Sequence, residues 1–278
     1  MSSVLLRVEA KSSEIQHALD DLETALVGVE AVSVVAVGGV VKSRKSTMLN
    51  ALHGSAGRVA PFELCPNPCD HDQALAHQPG AMFAPTLLSR ADGSHWLTLE
   101  IDLDPRAYRN PCNYLWMCRI ARSITSILIF SVLDYVVDQW GPISVALLGD
   151  PEFEPMNRPM LLCHAPAPLS TGLDPSQTRL VDRNFSRLRF AQAKGVSEAV
   201  NVMTKLWKET TPVKTMRPTF LVGLIRRLCE LANSNRDGPP RPLVGLSVAV
   251  RVGADMVLAA GKQMVTQCRE REKEDIQS

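Results

Sequence analysis

The sequence predicts an α/β fold, in which a mostly parallel sheet is flanked by helices and the C-terminal third is helical. Short apolar runs alternate with segments of helical periodicity over the first 175 residues, a pattern typical of strands buried on both faces. A valine-rich run at 32–37 leads into two glycines, a polar loop and a helical segment. Beyond residue 175 apolar residues recur at helical spacing, with breaks at Pro212 and Pro240.

Sequence patterns assign these elements in order along the chain. Ser12 and Ser13 precede the first helical pattern and are candidate N-caps. The turn Ala91-Asp92-Gly93 lies between two extended arms and indicates a hairpin. The predicted elements are strands at 4–8, 32–37, 126–133, 144–150 and 160–164, hairpin arms at 80–89 and 95–103, and helices at 15–26, from 48 onward, at 114–123, 179–207, 218–233 and 242–274.

Composition narrows the class of protein. The chain has 278 residues, which suffices for one large α/β domain or a domain with an appendage. Its net charge of +1 gives no electrostatic case for nucleic acid or an anionic membrane as a partner. Its seven scattered cysteines suit reduced, buried thiols better than a disulfide framework. No signal peptide and no intrinsic membrane span is evident, so we expect a cytoplasmic protein.

The loop after the valine-rich strand fits the phosphate-binding pattern G-x-x-x-x-G-K-[ST] at Gly39, Lys45 and Ser46, with Arg44 at the second glycine. In such a loop, backbone N–H groups and the helix N-terminus face an anion, the lysine reaches the outer phosphates and the serine binds Mg²⁺. This pattern predicts a P-loop NTPase-like fold. The predicted nucleotide-binding residues in this loop are Gly39, Ser43, Arg44, Lys45, Ser46 and Thr47. The alternative is an ordinary strand-to-helix turn with basic residues on a solvated surface.

Two further groups of residues are candidate metal ligands. Asp102 and Asp104 end a predicted strand, and a carboxylate beside a phosphate loop holds Mg²⁺ through water. We therefore expect Mg²⁺ at Ser46 and Asp102 if nucleotide binds, the alternative being a solvated strand end. The second group is Cys65, Cys69 and His71. A zinc site is disfavoured there, because a fourth ligand and the usual ligand spacing are missing.

Taken together, the order of these features resembles the large GTPase domain of guanylate-binding proteins and atlastins, in the dynamin superfamily. The resemblance runs from about residue 4 to residue 267. It includes the strand 34–39 and the stretch that begins Met216-Arg-Pro-Thr-Phe, which is similar to the helix–loop–helix closing the family's domain. It implies a GTPase-like domain at 1–240 and a C-terminal helix at 241–278, either the start of a helical stalk or a truncated tail.

The resemblance also implies residue roles. Lys42 takes the place of a loop arginine that acts as the family's catalytic finger. Asp102 matches the first aspartate of the family's Asp-Thr-Glu-Gly, and Asp150 matches its guanine-reading aspartate. Four departures fall at nucleotide-handling positions, namely Arg44, Gln78, Pro105 and Gly149.

The sequence therefore predicts a GTP-binding protein with GTP or GDP as ligand. Hydrolysis would be slow if it occurs, because lysine lacks the planar fork of arginine. The alternative is a pseudo-GTPase interaction module that pairs with active relatives, as a homodimer or heterodimer through the nucleotide face. A P-loop kinase is a third interpretation, against which the family-like C-terminal stretch argues.

Overall fold

The computed structural model describes residues 3–39, 43–64, 80–103, 108, 111–132, 160–163, 189–193, 195–212 and 214–234. The elements in these ranges are β1 (Val4–Leu6), α1 (Ser12–Ala25), β2 (Val32–Gly39), α2 (Lys45–Ser55), β3 (Ala81–Phe83), β4 (Leu88–Ser89), β5 (His95–Asp102), α3 (Pro111–Ile124), β6 (Ile127–Val132), β7 (Met160–Cys163), β8 (Arg189–Gln192), α4 (Val196–Glu209) and α5 (Pro218–Ser234).

The strands form one mixed sheet with the order β1-β3-β5-β2-β6-β7-β8, and β4 pairs with β5. Pairing is parallel from β5 through β2, β6 and β7 to β8. The short strands lie on the β5 side of the sheet. There β3 and β4 pair with β5, and β1 pairs with β3, each in antiparallel orientation. This arrangement confirms the predicted α/β class with a mostly parallel sheet, and it places β2 in the middle of the sheet.

Both faces of β2 are covered, which explains why its sequence is apolar except at Ser33, whose buried hydroxyl shares a hydrogen bond with Thr215 Oγ1. Val34 and Ala36 belong to the core cluster beneath α1, α3 and α5, while Val35 and Val37 pack on the other face with residues of α2 and α4. Successive side chains of a strand point to opposite faces. A central strand between two helical layers is therefore apolar at most of its positions.

The hairpin predicted around Ala91-Asp92-Gly93 is confirmed. Gly93 has φ of 80°, and the Arg90 N–H donates to the Ser94 carbonyl at 3.0 Å. The Arg90 guanidinium also donates to the carbonyls of Lys208 at 2.6 Å and Thr210 at 2.8 Å. The hairpin is thereby attached to the C-terminal end of α4.

One predicted helix is wrong in part. The segment 179–207 was expected to be helical, but β8 lies within it and pairs in parallel with β7, with Met160 opposite Arg189. Four residues reading Arg-Phe-Ala-Gln are too few for periodicity to distinguish a strand from a helix. These residues form a strand because they pair with the edge of β7. The described helices that follow, α4 and α5, agree with a helical C-terminal region.

The first helix also begins differently from the prediction. Ser12 and Ser13 are its first two residues and do not cap it. Lys11 is the N-cap, and its backbone N–H donates to Glu14 Oε2 at 3.0 Å. The glutamate side chain thus satisfies the backbone N–H of the N-cap residue, as the N3 residue of a capping box does.

Several predictions lie outside the described residues. These are the strand at 144–150, the helix at 242–274, the domain division at 240, and the cluster of Cys65, Cys69 and His71. No helix in the described part of the chain is long and apolar enough to cross a membrane.

Two of the cysteines are buried free thiols in the core, as expected. They are Cys118 on α3 and Cys229 on α5. Burial raises the pKa of each thiol to about 12, so both are protonated and unreactive at neutral pH. They behave as small apolar side chains between packed helices.

His53, in the last turn of α2, is a buried imidazole. Its Nε2 shares a hydrogen bond of 2.8 Å with Thr98 Oγ1 on β5. Burial, assisted by the positive charge of Arg58, lowers the pKa of His53 from 6.5 to about 4. The folded protein therefore holds this imidazole neutral at pH values where the unfolded chain protonates it.

The lowered pKa of His53 predicts that the free energy of unfolding falls as pH falls from about 6.5 to about 4. Over that window the unfolded state binds the proton more readily, and the loss from this group reaches about 3 kcal/mol. Urea unfolding of the wild type and of His53→Gln across this pH range measures the loss in free energy of unfolding, because glutamine does not bind a proton there. The His53→Gln profile should be flatter, whereas the control His17→Gln, at an exposed histidine of α1, should match the wild type. Identical slopes for His53→Gln and wild type would contradict the assignment.

Candidate phosphate-binding site

The candidate site lies where the carboxyl ends of three neighbouring parallel strands meet. Gly39 at the end of β2 is opposite Asp102 of β5 on one side and Ser131 of β6 on the other. After β2, the next parallel strand in the chain is β5, which lies on one side of β2. The later strands β6, β7 and β8 lie on the other side, so the strand order reverses at β2. Open α/β sheets bind ligands outside the carboxyl ends of their strands at such a reversal.

The N-terminus of α2 faces the same place. The helix begins at Lys45, and its first backbone bond runs from the Met48 N–H to the Arg44 carbonyl at 3.1 Å. The backbone N–H groups of Lys45, Ser46 and Thr47 therefore precede the first helical hydrogen bond, as at the start of every α-helix. Such groups, at the positive end of a helix dipole, are the ones that bind anions at helix N-termini.

Arg44 takes up the conformation that glycine would have in this loop. Its φ is 64° and its ψ is 25°, and no other non-glycine residue in the described ranges has a positive φ. This left-handed conformation costs a side-chain-bearing residue about 1–2 kcal/mol. The Arg44 side chain is exposed. The loop thus keeps its turn although the glycine of the motif is missing.

The interior of the loop is closely packed on β2 and β6. A Cβ atom at Gly39 would lie 2.5 Å from both the Ser131 carbonyl oxygen and Ser43 Oγ. Ser131 Oγ donates a hydrogen bond to the Ser43 carbonyl, and Ser43 is fully buried. Only glycine fits at position 39, and Ser131 anchors the loop to the end of β6.

A mostly buried ion pair joins α2 to β5. Lys45 Nζ donates to Asp102 Oδ1 at 2.9 Å, and the two side chains are 6% and 14% exposed. The backbone around Asp102 is fixed by three further hydrogen bonds: Asp102 N–H to the Gly80 carbonyl, Leu103 N–H to the Gly39 carbonyl, and Tyr108 hydroxyl to the Asp102 carbonyl. With so little water around the pair, its attraction is stronger than at a surface.

Magnesium fits the oxygen donors at this position. Ser46 supplies a hydroxyl and Asp102 a carboxylate, and Mg²⁺ commonly takes one or two protein oxygens together with phosphates and waters. Among the described residues, no group of three or more histidine, cysteine or acidic side chains could hold a metal ion.

The structure brings together most of the predicted site residues. Around the end of β2 it places Gly39, Ser43, Arg44, Lys45, Ser46, Thr47 and Asp102. Lys42 and Asp150 lie outside the described residues, as do Gln78, Pro105 and Gly149. Sequence reasoning missed Ser131, whose only signal is a polar residue near the end of the apolar strand β6. It also missed the direct contact of Lys45 with Asp102.

The strained backbone of Arg44 gives a prediction about stability. Arg44→Gly should have a free energy of unfolding about 1 kcal/mol above that of Arg44→Ala, because only glycine adopts the left-handed conformation without strain. Both variants lose the guanidinium, so their difference isolates the backbone. Chemical denaturation of the two proteins measures it. Equal stabilities would show that position 44 is unstrained in solution.

A double-mutant cycle tests the ion pair. Lys45→Met leaves a mostly buried carboxylate unpaired and should lower the free energy of unfolding by about 2–4 kcal/mol. Combining it with Asp102→Asn should recover part of that loss, giving a coupling energy of about 1–3 kcal/mol. The control is the exposed pair Arg227–Glu230 on α5, where about 0.5 kcal/mol or less is expected. Coupling no larger than in the control pair would contradict the contact.

Comparison with known proteins adds little to this geometry. No family model matches the chain, and no curated protein matches its sequence. One solved structure, the ADP ribosylation factor-like GTP binding protein/small COPII coat GTPase SAR1 from Encephalitozoon cuniculi in complex with GDP, has 10% sequence identity and a TM-score of 0.28. That alignment covers 80% of this chain and 89% of that chain. Similarity at this level carries no argument, so the P-loop NTPase-like α/β fold rests on the strand order and the loop geometry.

Proposed function

We propose that the chain binds GTP and GDP at the loop between β2 and α2, with slow hydrolysis of GTP if the site is active. The observation that carries this proposal is the position of Lys45. It stands at the N-terminus of α2, beside Asp102, where the order of the parallel strands reverses. A cation, the N–H groups of a helix N-terminus and a strand-end carboxylate at one end of the sheet suit a nucleotide polyphosphate better than any other common ligand.

Each described residue then has a role toward the phosphates. Lys45 would bind the outer phosphates, and the N–H groups at the start of α2 would donate to their oxygens. Ser46 and Asp102 would hold Mg²⁺, which neutralises phosphate charge when bound. Gly39 would allow the loop to lie close to the strand ends, since a side chain there has no room.

The guanine preference and the guanylate-binding or atlastin type are the finer part of the proposal. They are supported by the sequence resemblance, in which Asp150 would accept two N–H donors from guanine. Lys42 would stand in for the catalytic arginine. Such hydrolysis depends mainly on positioning and charge stabilisation, and lysine lacks arginine's two-pronged geometry. Slow turnover follows from that substitution.

A second candidate function is a pseudo-GTPase that pairs with another copy or an active relative through the same face. The observation that favours it is the ion pair itself. Lys45 has a carboxylate partner in Asp102, so phosphate must compete for it. A folded wild type that binds no nucleotide but self-associates in sedimentation would support this second function over the first.

Binding of fluorescent GTP, GDP and ATP, with and without Mg²⁺, tests the proposal. Lys45→Met should weaken GTP binding by about tenfold or more, since it removes a charged contact to phosphate worth at least about 1.4 kcal/mol. The control is Lys205→Met, which removes an equal charge from the exposed face of α4. Equal affinities of the Lys45→Met protein and the control would remove Lys45 from the site and overturn the proposal.

A further inference from the structure

We propose that the groove between β1 and α1 binds an extended, basic segment of a partner protein. The segment pairs with the free edge of β1 as an additional strand, and its lysine or arginine side chains contact the carboxylates of Glu14 and Asp21 on α1. The groove is separate from the nucleotide site, because β3 and β5 lie between β1 and β2. The interaction therefore goes beyond the proposed function and does not depend on it.

The groove has an apolar lining and one acidic wall. Its volume is about 470 Å³, and it lies along β1 and the N-terminal half of α1. Val4 and Ala18 are buried apolar residues that line it. Glu14, His17 and Asp21 also line it, and with Ala18 they follow the i, i+3, i+4, i+7 spacing that puts residues on one face of a helix. One face of α1 is thus turned toward the groove.

The outer edge of β1 is free to pair with another strand. Among the described strands β1 pairs with β3 alone. A Cβ atom at Gly80, just before β3, would lie 2.5 Å from the Leu6 carbonyl oxygen, so that carbonyl faces β3. In an antiparallel pair, the N–H and C=O of one residue point to the same side and those of the next residue to the other side. The backbone groups of Leu5 therefore face outward, and the described ranges hold no hydrogen-bond partner for them.

An extended segment that pairs with these outward groups lengthens the sheet by one strand. Its alternate side chains then lie on the two faces of the sheet. Val4 and Leu6 pack in the core cluster with α1, so side chains of the added strand on that face lie beside α1. The other side chains lie beside Leu5, which is half-buried, and branched apolar residues suit that position.

Charge decides which extended segment fits. The described residues that line the groove include two carboxylates and no lysine or arginine. Glu14 and Asp21 are both exposed on α1, and their separation along the helix is about 10 Å. Strand residues two or four positions apart lie about 7 Å or about 13 Å apart on one face. Lysine or arginine side chains at such positions are long enough to reach both carboxylates.

A second copy of the chain fits this groove less well than a basic partner does. Pairing of β1 with β1 about a two-fold axis brings the same surface patch of both copies together. The two α1 helices then lie on the same face of the joined sheet, with Glu14 and Asp21 of one copy near those of the other. Such a juxtaposition of like charges suppresses association. The groove therefore favours an occupant of opposite charge.

The probe for the test is a fluorescent, end-blocked peptide of about seven residues in which lysine and valine alternate, the usual length of a strand. Its binding to the full chain is measured by fluorescence anisotropy. A peptide with glutamate in place of each lysine is the control. The wild type should bind the lysine peptide at least about tenfold tighter than the glutamate peptide, and added salt should weaken that binding.

A double variant of α1 tests the acidic wall. Glu14→Gln with Asp21→Asn should bind the lysine peptide about fivefold more weakly or less tightly still, because two ion pairs are lost. Glutamine at position 14 still accepts the hydrogen bond from the Lys11 N–H. The matched control, Asp20→Asn with Glu23→Gln, removes equal charge from other exposed positions of α1 and should stay within about twofold of the wild type.

Leu5→Pro tests the strand pairing. Proline lacks the N–H group, and an edge strand accepts it where that group faces outward. The variant should bind the lysine peptide about tenfold more weakly than the wild type, since a main-chain hydrogen bond is lost and the proline ring lies at the pairing edge. Leu5→Val should bind like the wild type. If Leu5→Pro does not fold, as judged by its thermal transition, Ser3→Pro removes the next outward N–H and carries the same expectation.

Three results would overturn the proposal. The first is equal affinity for the lysine and glutamate peptides, or an equal loss in the two double variants. The second is binding of the lysine peptide that a folded proline variant leaves unchanged. The third is self-association of the wild type in sedimentation that the proline variant abolishes, which would assign this edge to a second copy. None of these results alters the proposed nucleotide binding, which is measured separately.

Discussion

The Lys45–Asp102 ion pair is the contact on which the arrangement of this site depends. It joins the first residue of α2 to the last residue of β5, across the end of β2. Because both charges are mostly buried, removing the lysine leaves the Asp102 carboxylate with little water around it, which the fold tolerates poorly. The pair therefore fixes where the helix begins relative to the sheet.

The loop around this pair is held by shape as well as by charge. Gly39 leaves room for Ser43, and Ser131 binds the loop from β6. Strained backbone persists only where the surrounding structure imposes it, and Arg44 at φ of 64° meets that condition. An arginine at this position can thus reduce stability while the loop keeps its turn.

How far the sequence predicts this structure depends on the range of the interactions involved. The valine-rich strand, the loop and the start of α2 were predictable, because periodicity and local motif chemistry specify them. The strand β8 was not, since its four residues become a strand only beside β7. The contact of Lys45 with Asp102 depends on the register that puts Gly39 opposite Asp102, and no local pattern encodes that register. Lys42 and Asp150 remain predictions from the family resemblance.

The most direct test of the central claim is the rate at which an amine-acylating reagent modifies Lys45, followed by mass spectrometry. Exposed Lys205 serves as the internal standard. In the empty wild type Lys45 should react much more slowly than Lys205. It should react faster in Asp102→Asn, and GTP with Mg²⁺ should protect it in both proteins. A Lys45 that reacts at the same rate in wild type and Asp102→Asn, with no protection by GTP, would contradict the account.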